Sequence, residues 1–235
     1  MIPLRDDNPT KITPVVTITL IVVCVGVFIW QVAHDPEGQQ LITYGLGAIP
    51  VTLLGERQLA PEIAIVPTYV TVFSSMFLHG GWMHLIGNMA YLWIFGNNIE
   101  DAMGHVRYVT FYIICGIVAV FAHALPNADS AIPMVGASGA ISGVLGAYLL
   151  LHPHARVLLF IPLGFFAPLI RLKAMWVLGA WFVMQLVSSA MNAGNEGGGV
   201  AFGAHIGGFI AGMALVPLFK YRNVPLENPF TGWTR

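Results

Sequence analysis

Six stretches of this chain run for at least 21 residues without an aspartate, glutamate, lysine or arginine. They cover residues 12–33, 63–99, 108–128, 130–155, 174–195 and 197–219. Nothing else in the sequence constrains the fold so strongly, because about 20 apolar residues suffice for a helix to cross the hydrocarbon core of a bilayer. Composition agrees. Of the 235 residues, 57% are hydrophobic and 9% charged, against about 25% charged in soluble domains. The chain reads as an integral membrane protein embedded in lipid. A net charge of −1 without any basic cluster argues against a nucleic-acid partner. Cys24 and Cys115 each lie inside an apolar run, which argues against a disulfide framework. The first run is long for a signal-peptide core and no small-residue cleavage site follows it, so it reads as a retained span.

The runs predict an all-α polytopic bundle with six transmembrane helices near residues 12–33, 79–99, 108–128, 135–152, 174–192 and 201–219. Residues 68–78 are left over from the longest run and read as membrane-surface structure. Residues 157–170 are too short to span and are broken by Pro162, Gly164 and Pro168, so they read as interfacial or re-entrant. Cytoplasmic loops favour Lys and Arg. Six spans with both termini cytoplasmic put Arg5, Lys11, Arg107, Arg156, Arg171, Lys173, Lys220, Arg222 and Arg235 inside, leaving only Arg57 outside. A seventh span at 157–170 spoils that balance. No internal repeat is visible, so residues 1–235 read as one domain. Residues 34–78 form a long external loop, and residues 191–200 a short glycine-rich one.

This orientation makes spans two, four and six parallel, each running inward. His84 and Asn88 lie early in span two, Ser138 in span four and His205 in span six. At 1.5 Å per residue they sit roughly 5–14 Å below the outer helix ends. Taken singly, each has a structural explanation. Ser138 suits close packing or a bond to its own helix, and His205 suits an interhelical hydrogen bond. His84 and Asn88, spaced i,i+4 on one face, suit helix–helix adhesion. Packing gives no reason for all four to share one depth. On span six, His205, Gly208 and Gly212 share a face; on span four, Gly139 and Gly143 form a G-x-x-x-G pair. Small faces let backbones approach closely, within reach of the roughly 2.6–3.2 Å that a serine–histidine pair requires.

The segments "HGGWMHLIGNMAYLWIFGNNIED" (79–101), "GASGAISGVLGAY" (136–148) and "AHIGGFIAG" (204–212) resemble the rhomboid family of intramembrane serine proteases. The pattern H-x4-H-x3-N, then G-A-S-G, then A-H-x-x-G-x-x-x-G on spans two, four and six carries the resemblance. It implies that Ser138 is the nucleophile and His205 its general base, without an aspartate. It also implies that His84, Asn88 and the Ser138 backbone N–H form the oxyanion hole, while His79 supports the start of span two. Gly136, Gly139, Gly208 and Gly212 leave room around the pair. Two positions depart from the family pattern. Val70-Thr71 stands where a Trp-Arg pair is frequent, and Ser142 stands where some members carry an aromatic residue beneath the histidine.

No Asp or Glu lies in the outer half of any span, so the sequence offers no carboxylate third member, and control of the His205 tautomer falls to packing or backbone groups. Glu100 and Asp101 lie at the inner end of span two. The expected reaction is hydrolysis of a peptide bond in or near the transmembrane segment of a membrane-anchored protein, such as a single-span substrate. The site should face the external side of the cell membrane. No cofactor and no metal are expected, and the other intramembrane proteases are disfavoured, since there is no H-E-x-x-H for zinc and no intramembrane aspartate pair. Residues 191–200 are expected to cap the site, and span five, with Trp176, Trp181 and Phe182, to move for substrate entry. Two other readings are an inactive rhomboid-like protein that binds membrane clients, and a transporter or channel using its histidines for protons or metal. The first lacks its usual mark, a missing Ser or His; the second fits the Ser–Asn company poorly.

Overall fold

The computed structural model describes residues 2–55, 57–161, 168–192 and 200–227. Residues 193–199, which hold most of the expected capping loop, the broken centre of 157–170 and Arg235 all lie outside the described residues. A short strand, β1 (Ile2–Asp6), precedes the first long helix, α1 (Val15–Val32). Residues 34–78 hold three short helices, α2 (Pro36–Leu46), α3 (Pro50–Leu53) and α4 (Thr68–Ser74). Helix α5 (Trp82–Tyr91) continues through a π-helical turn (Leu92–Gly96) into α6 (Asn97–Met103). Helix α7 (His105–Ala124) ends in a 3-10 turn, and α8 (Ser138–Leu151) follows. Strands β2 (Arg156–Phe160) and β3 (Leu169–Lys173) lead into α9 (Ala174–Met191) and α10 (Phe202–Phe219).

Among the described residues, four helices are long and apolar enough to cross a membrane: Val15–Val32, His105–Asn127, Ala174–Met191 and Phe202–Phe219. Helix α8 is apolar but shorter, at 14 residues. The run α5–α6 is continuous over residues 82–103 but is interrupted by the π-helical turn. Large apolar side chains on the outer faces of the helices, among them Val22, Trp93, Trp176, Val183 and Leu218, are exposed. Outside a bilayer such a surface is rare.

The expectation of an all-α fold needs correction. β1, β2 and β3 form an antiparallel sheet in that order, with Asp6 opposite Val157 and Leu158 opposite Arg171. The described ends of the 157–170 run are therefore strands. Val157 and Leu159 point into the core, while every residue of β3 is exposed. Alternation of this kind suits a strand with one buried face.

The sheet belongs to one end of the bundle. Asp7 N–H donates to the Arg156 carbonyl at 3.0 Å, Ala174 N–H to Ala155 at 2.7 Å, Tyr221 N–H to Ala102 at 2.9 Å and Glu227 N–H to Leu150 at 2.8 Å. The start of α1 reaches the same end through two acidic residues. Fully buried Glu100 accepts N–H bonds from Val16 and Thr17 at 2.8 Å each and the Thr17 hydroxyl at 2.7 Å. Asp101 accepts the N–H groups of Lys11 and Ile12. Pro14, which precedes α1, offers no capping side chain, so these carboxylates satisfy donors that a helix start leaves free. Successive long helical segments thus alternate in direction.

Between α8 and α10 the backbones nearly touch. A Cβ placed on Gly208 would meet the Gly139 carbonyl oxygen, one on Gly212 the Gly143 carbonyl, and one on Gly146 the Phe209 carbonyl. The predicted glycine faces oppose each other, extended by Gly146.

Candidate active site

Ser138 is the first residue of α8, at the end of the bundle away from the sheet. Its placement starts at Gly136, whose φ of +126° lies where residues with a Cβ rarely go. The Gly136 N–H donates to the Ser75 carbonyl at 2.8 Å, anchoring the turn to the end of α4. Beside it, Met134 and Ala48 exchange two backbone hydrogen bonds. The helix therefore begins at Ser138, a few residues later than the span expected from 135. As a first-turn residue Ser138 has a backbone N–H with no partner inside the helix.

His205 stands in the first turn of α10. Its Nε2 lies 2.8 Å from Ser138 Oγ, and its Nδ1 lies 2.8 Å from Gln185 Oε1 on α9. The Trp181 ring flanks the imidazole at 5.9 Å between centroids and 34° between planes. Gly139 and Gly208, one residue past Ser138 and three past His205, set the helix separation that lets so short a pair meet.

His84 faces the same turn. A Cβ on Gly136 would stand 2.7 Å from His84 Cε1, 2.8 Å from its Nε2 and 3.6 Å from Ser138 Oγ. Gly80 N–H donates to His84 Nδ1 at 3.3 Å, which leaves the ring proton on Nε2, the nitrogen beside Gly136. Asn88, one turn on, is buried, and its Nδ2 has no hydrogen-bond partner among the described residues. An unpaired buried amide donor is costly unless it serves something else. His79 is buried against the His84 ring at 5.3 Å. Its N–H donates to Gln31 Oε1 at 3.0 Å and its Nδ1 pairs with the Phe77 carbonyl at 3.2 Å. A cavity of about 30 Å³ lies beside Ser138, lined by Met76, Gly116, Ala119, Gly139 and Ala204 among others.

Chemically, the arrangement offers a hydroxyl bonded to an imidazole, with the His84 ring at the adjoining Gly136 and the unpartnered Ser138 N–H at the helix start; Asn88 Nδ2 is a buried, unpaired donor one turn further along α5. Among the described residues, no group of three His, Cys, Asp or Glu side chains converges as metal ligands would.

Residues 67–222 match the rhomboid domain as a sequence family. The chain belongs to the rhomboid family. It is 35% identical over 155 residues to rhomboid protein 1, mitochondrial, of Saccharomyces cerevisiae, covering 63% of this chain and 41% of that one. It is 34% identical over 163 residues to rhomboid-like protease 5 of Toxoplasma gondii, covering 66% of this chain and 16% of that one. It is 29% identical over 118 residues to the presenilin-associated rhomboid-like protein, mitochondrial, of Bos taurus, covering 49% and 30%. The chain spans less than half the length of these relatives.

Within the rhomboid framework one of the two departures has a substitute from a neighbouring helix. Ser142 turns its hydroxyl back to the Ser138 carbonyl at 2.6 Å, a bond within its own helix. The aromatic ring beside His205 comes instead from Trp181 on α9. At the second departure Val70-Thr71 lies inside α4, where Thr71 Oγ donates to the Thr68 carbonyl at 2.6 Å. Gln185 corrects one expectation outright: a side chain, not packing or backbone, contacts His205 Nδ1. Gln185 carries no charge, so the lack of Asp and Glu in the outer halves of the spans does not point to it. The available signal is the one side-chain amide within Ala174–Met191, a turn after Trp181.

Proposed function

We propose that this rhomboid protein is an intramembrane serine endopeptidase that hydrolyses peptide bonds in or near the transmembrane segment of membrane-anchored proteins, single-span proteins among them. The supporting observation is the 2.8 Å contact between His205 Nε2 and Ser138 Oγ across α8 and α10. In this reading His205 takes the hydroxyl proton as Oγ attacks the scissile carbonyl. The developing oxyanion is held by His84, Asn88 and the Ser138 N–H. The imidazolium returns its proton to the leaving amine, releasing the C-terminal fragment and leaving an acyl-serine. Water, deprotonated by His205, then hydrolyses the ester and restores the serine. The cavity beside Ser138 has room for a water molecule.

Six crossings go with this reading. α8 and the interrupted α5–α6 join the four long helices, and the whole chain acts as one membrane domain. Both termini and the β-sheet lie on the cytoplasmic side, because Arg5, Lys11, Arg107, Arg156, Arg171, Lys173, Lys220 and Arg222 gather at that end. The site then opens on the external side of the cell membrane. An inactive client-binding protein is the competing reading, and purified protein with a single-span test substrate separates the two. Wild type is expected to cleave it and the Ser138→Ala protein to leave it intact. Equal cleavage by both removes Ser138 from the chemistry.

A further inference from the structure

A serine hydroxyl needs a base with a free lone pair, and imidazole has only one such nitrogen at a time. Which one is free depends on what the other ring nitrogen contacts. Here the contacts form a single chain. Gln185 Nε2 faces the Trp181 carbonyl at 3.4 Å, one turn back on α9. That leaves Gln185 Oε1, an acceptor only, against His205 Nδ1 at 2.8 Å. An acceptor there requires the ring proton on Nδ1, so Nε2 presents its lone pair to Ser138 Oγ at 2.8 Å. Gln185 is buried, which shields this amide from competing water.

We propose that Gln185 is a positioning residue that holds His205 in the tautomer and orientation a general base needs, so that α9 completes a Ser138–His205–Gln185 relay. The inference rests on the serine endopeptidase reading. A carboxylate at this place stabilises the charged ring that forms when the serine proton moves. A neutral amide supplies the acceptor and the aim without a buried negative charge, whose desolvation in a membrane interior is costly. Trp181 and Gln185 lie i,i+4 on one face of α9 and both contact His205. Any displacement of α9 removes the flanking ring and the acceptor together.

The test compares wild type with Gln185→Leu and Gln185→Glu in the full chain. It follows the labelling rate of Ser138 by a serine-directed phosphonate across pH, and kcat and KM on a single-span substrate. Among the described residues, His84 and His123 are the other titratable groups that act on His205, and both stay unchanged. Gln185→Leu is expected to lower labelling and kcat about 10- to 100-fold, as loss of a bond to a charged donor does, with KM little moved. Gln185→Glu is expected to recover most of the labelling and to shift the acid limb of the profile to higher pH. A leucine variant within twofold of wild type overturns the proposal. So does equal loss in both variants with an unmoved acid limb, which marks mere helix adhesion. The 15N shifts of His205 in selectively labelled wild-type protein decide the matter if the variants do not fold. An Nδ1–H tautomer supports the relay, and an Nε2–H tautomer ends it. Wild-type protein that never labels sinks the protease reading instead, while the tautomer measurement still judges Gln185.

Discussion

The Gly139 carbonyl of α8 occupies the place where a Cβ on Gly208 of α10 would stand. Backbone cannot rotate aside as a side chain can, so the separation of the two helices depends on that missing carbon. Ser138 and His205 ride on these helices within three residues of the contact, and their 2.8 Å approach inherits the same spacing.

Gly208→Ala is therefore expected to damage stability and activity together. Alanine gains about 1 kcal/mol in helix propensity, whereas forcing extra volume into a packed contact costs about 1–3 kcal/mol. Here backbone opposes it, so the cost wins. A Cβ added to Gly26 of α1 would meet nothing within 4 Å, and Gly26→Ala should be neutral or mildly stabilising. Thermal unfolding in detergent and substrate cleavage check both. Equal behaviour of the two variants counts against the close-contact argument.

His84 and Asn88 should act after binding. An oxyanion exists only along the reaction path, so its donors lower the barrier without tightening substrate. Asn88→Ala and His84→Ala are each expected to reduce kcat, with about 10²–10³-fold as the scale for one donor, and to leave KM nearly constant. Residual activity should persist in Asn88→Ala because two donors remain. Steady-state kinetics of the single and double variants decide this, and wild-type kcat in the double variant would reduce the pair to helix adhesion.

At the sheet end, Tyr148 Oη donates to Asp6 Oδ2. Burial pushes the Asp6 carboxyl up from 3.8 to about 6, the tyrosine bond opposing only part of that rise. Between those values the folded protein holds a proton that the unfolded chain has released. The Asp6 contribution to stability therefore falls as pH rises from about 4 to about 6. Asp6→Asn should lack this dependence, so the unfolding midpoint of wild type relative to Asp6→Asn should decline across that window. A relative midpoint that rises with pH contradicts the assignment.

The membrane character, most helix limits and the glycine faces were legible in the sequence because they depend on local composition and period. Runs without charge mark lipid-facing helices, and i,i+3,i+4 spacing marks their faces whatever the neighbours do. His84, Asn88, Ser138 and His205 could be gathered at one depth because helix rise converts position in a span into distance. Tertiary structure alone decided what depends on how separate segments meet. The β-sheet needs Asp6 opposite Val157, a pairing that no window of the sequence contains. An aromatic ring beside His205 comes from Trp181 because α9 packs there, while position 142 of α8 holds a serine. Gln185 had no charge to draw attention, and an amide in an apolar span acquires a role only through the rotation of α9 that aims its oxygen at Nδ1. Spacing along one helix fixes which side chains share a face; which partner that face meets is set by packing between helices.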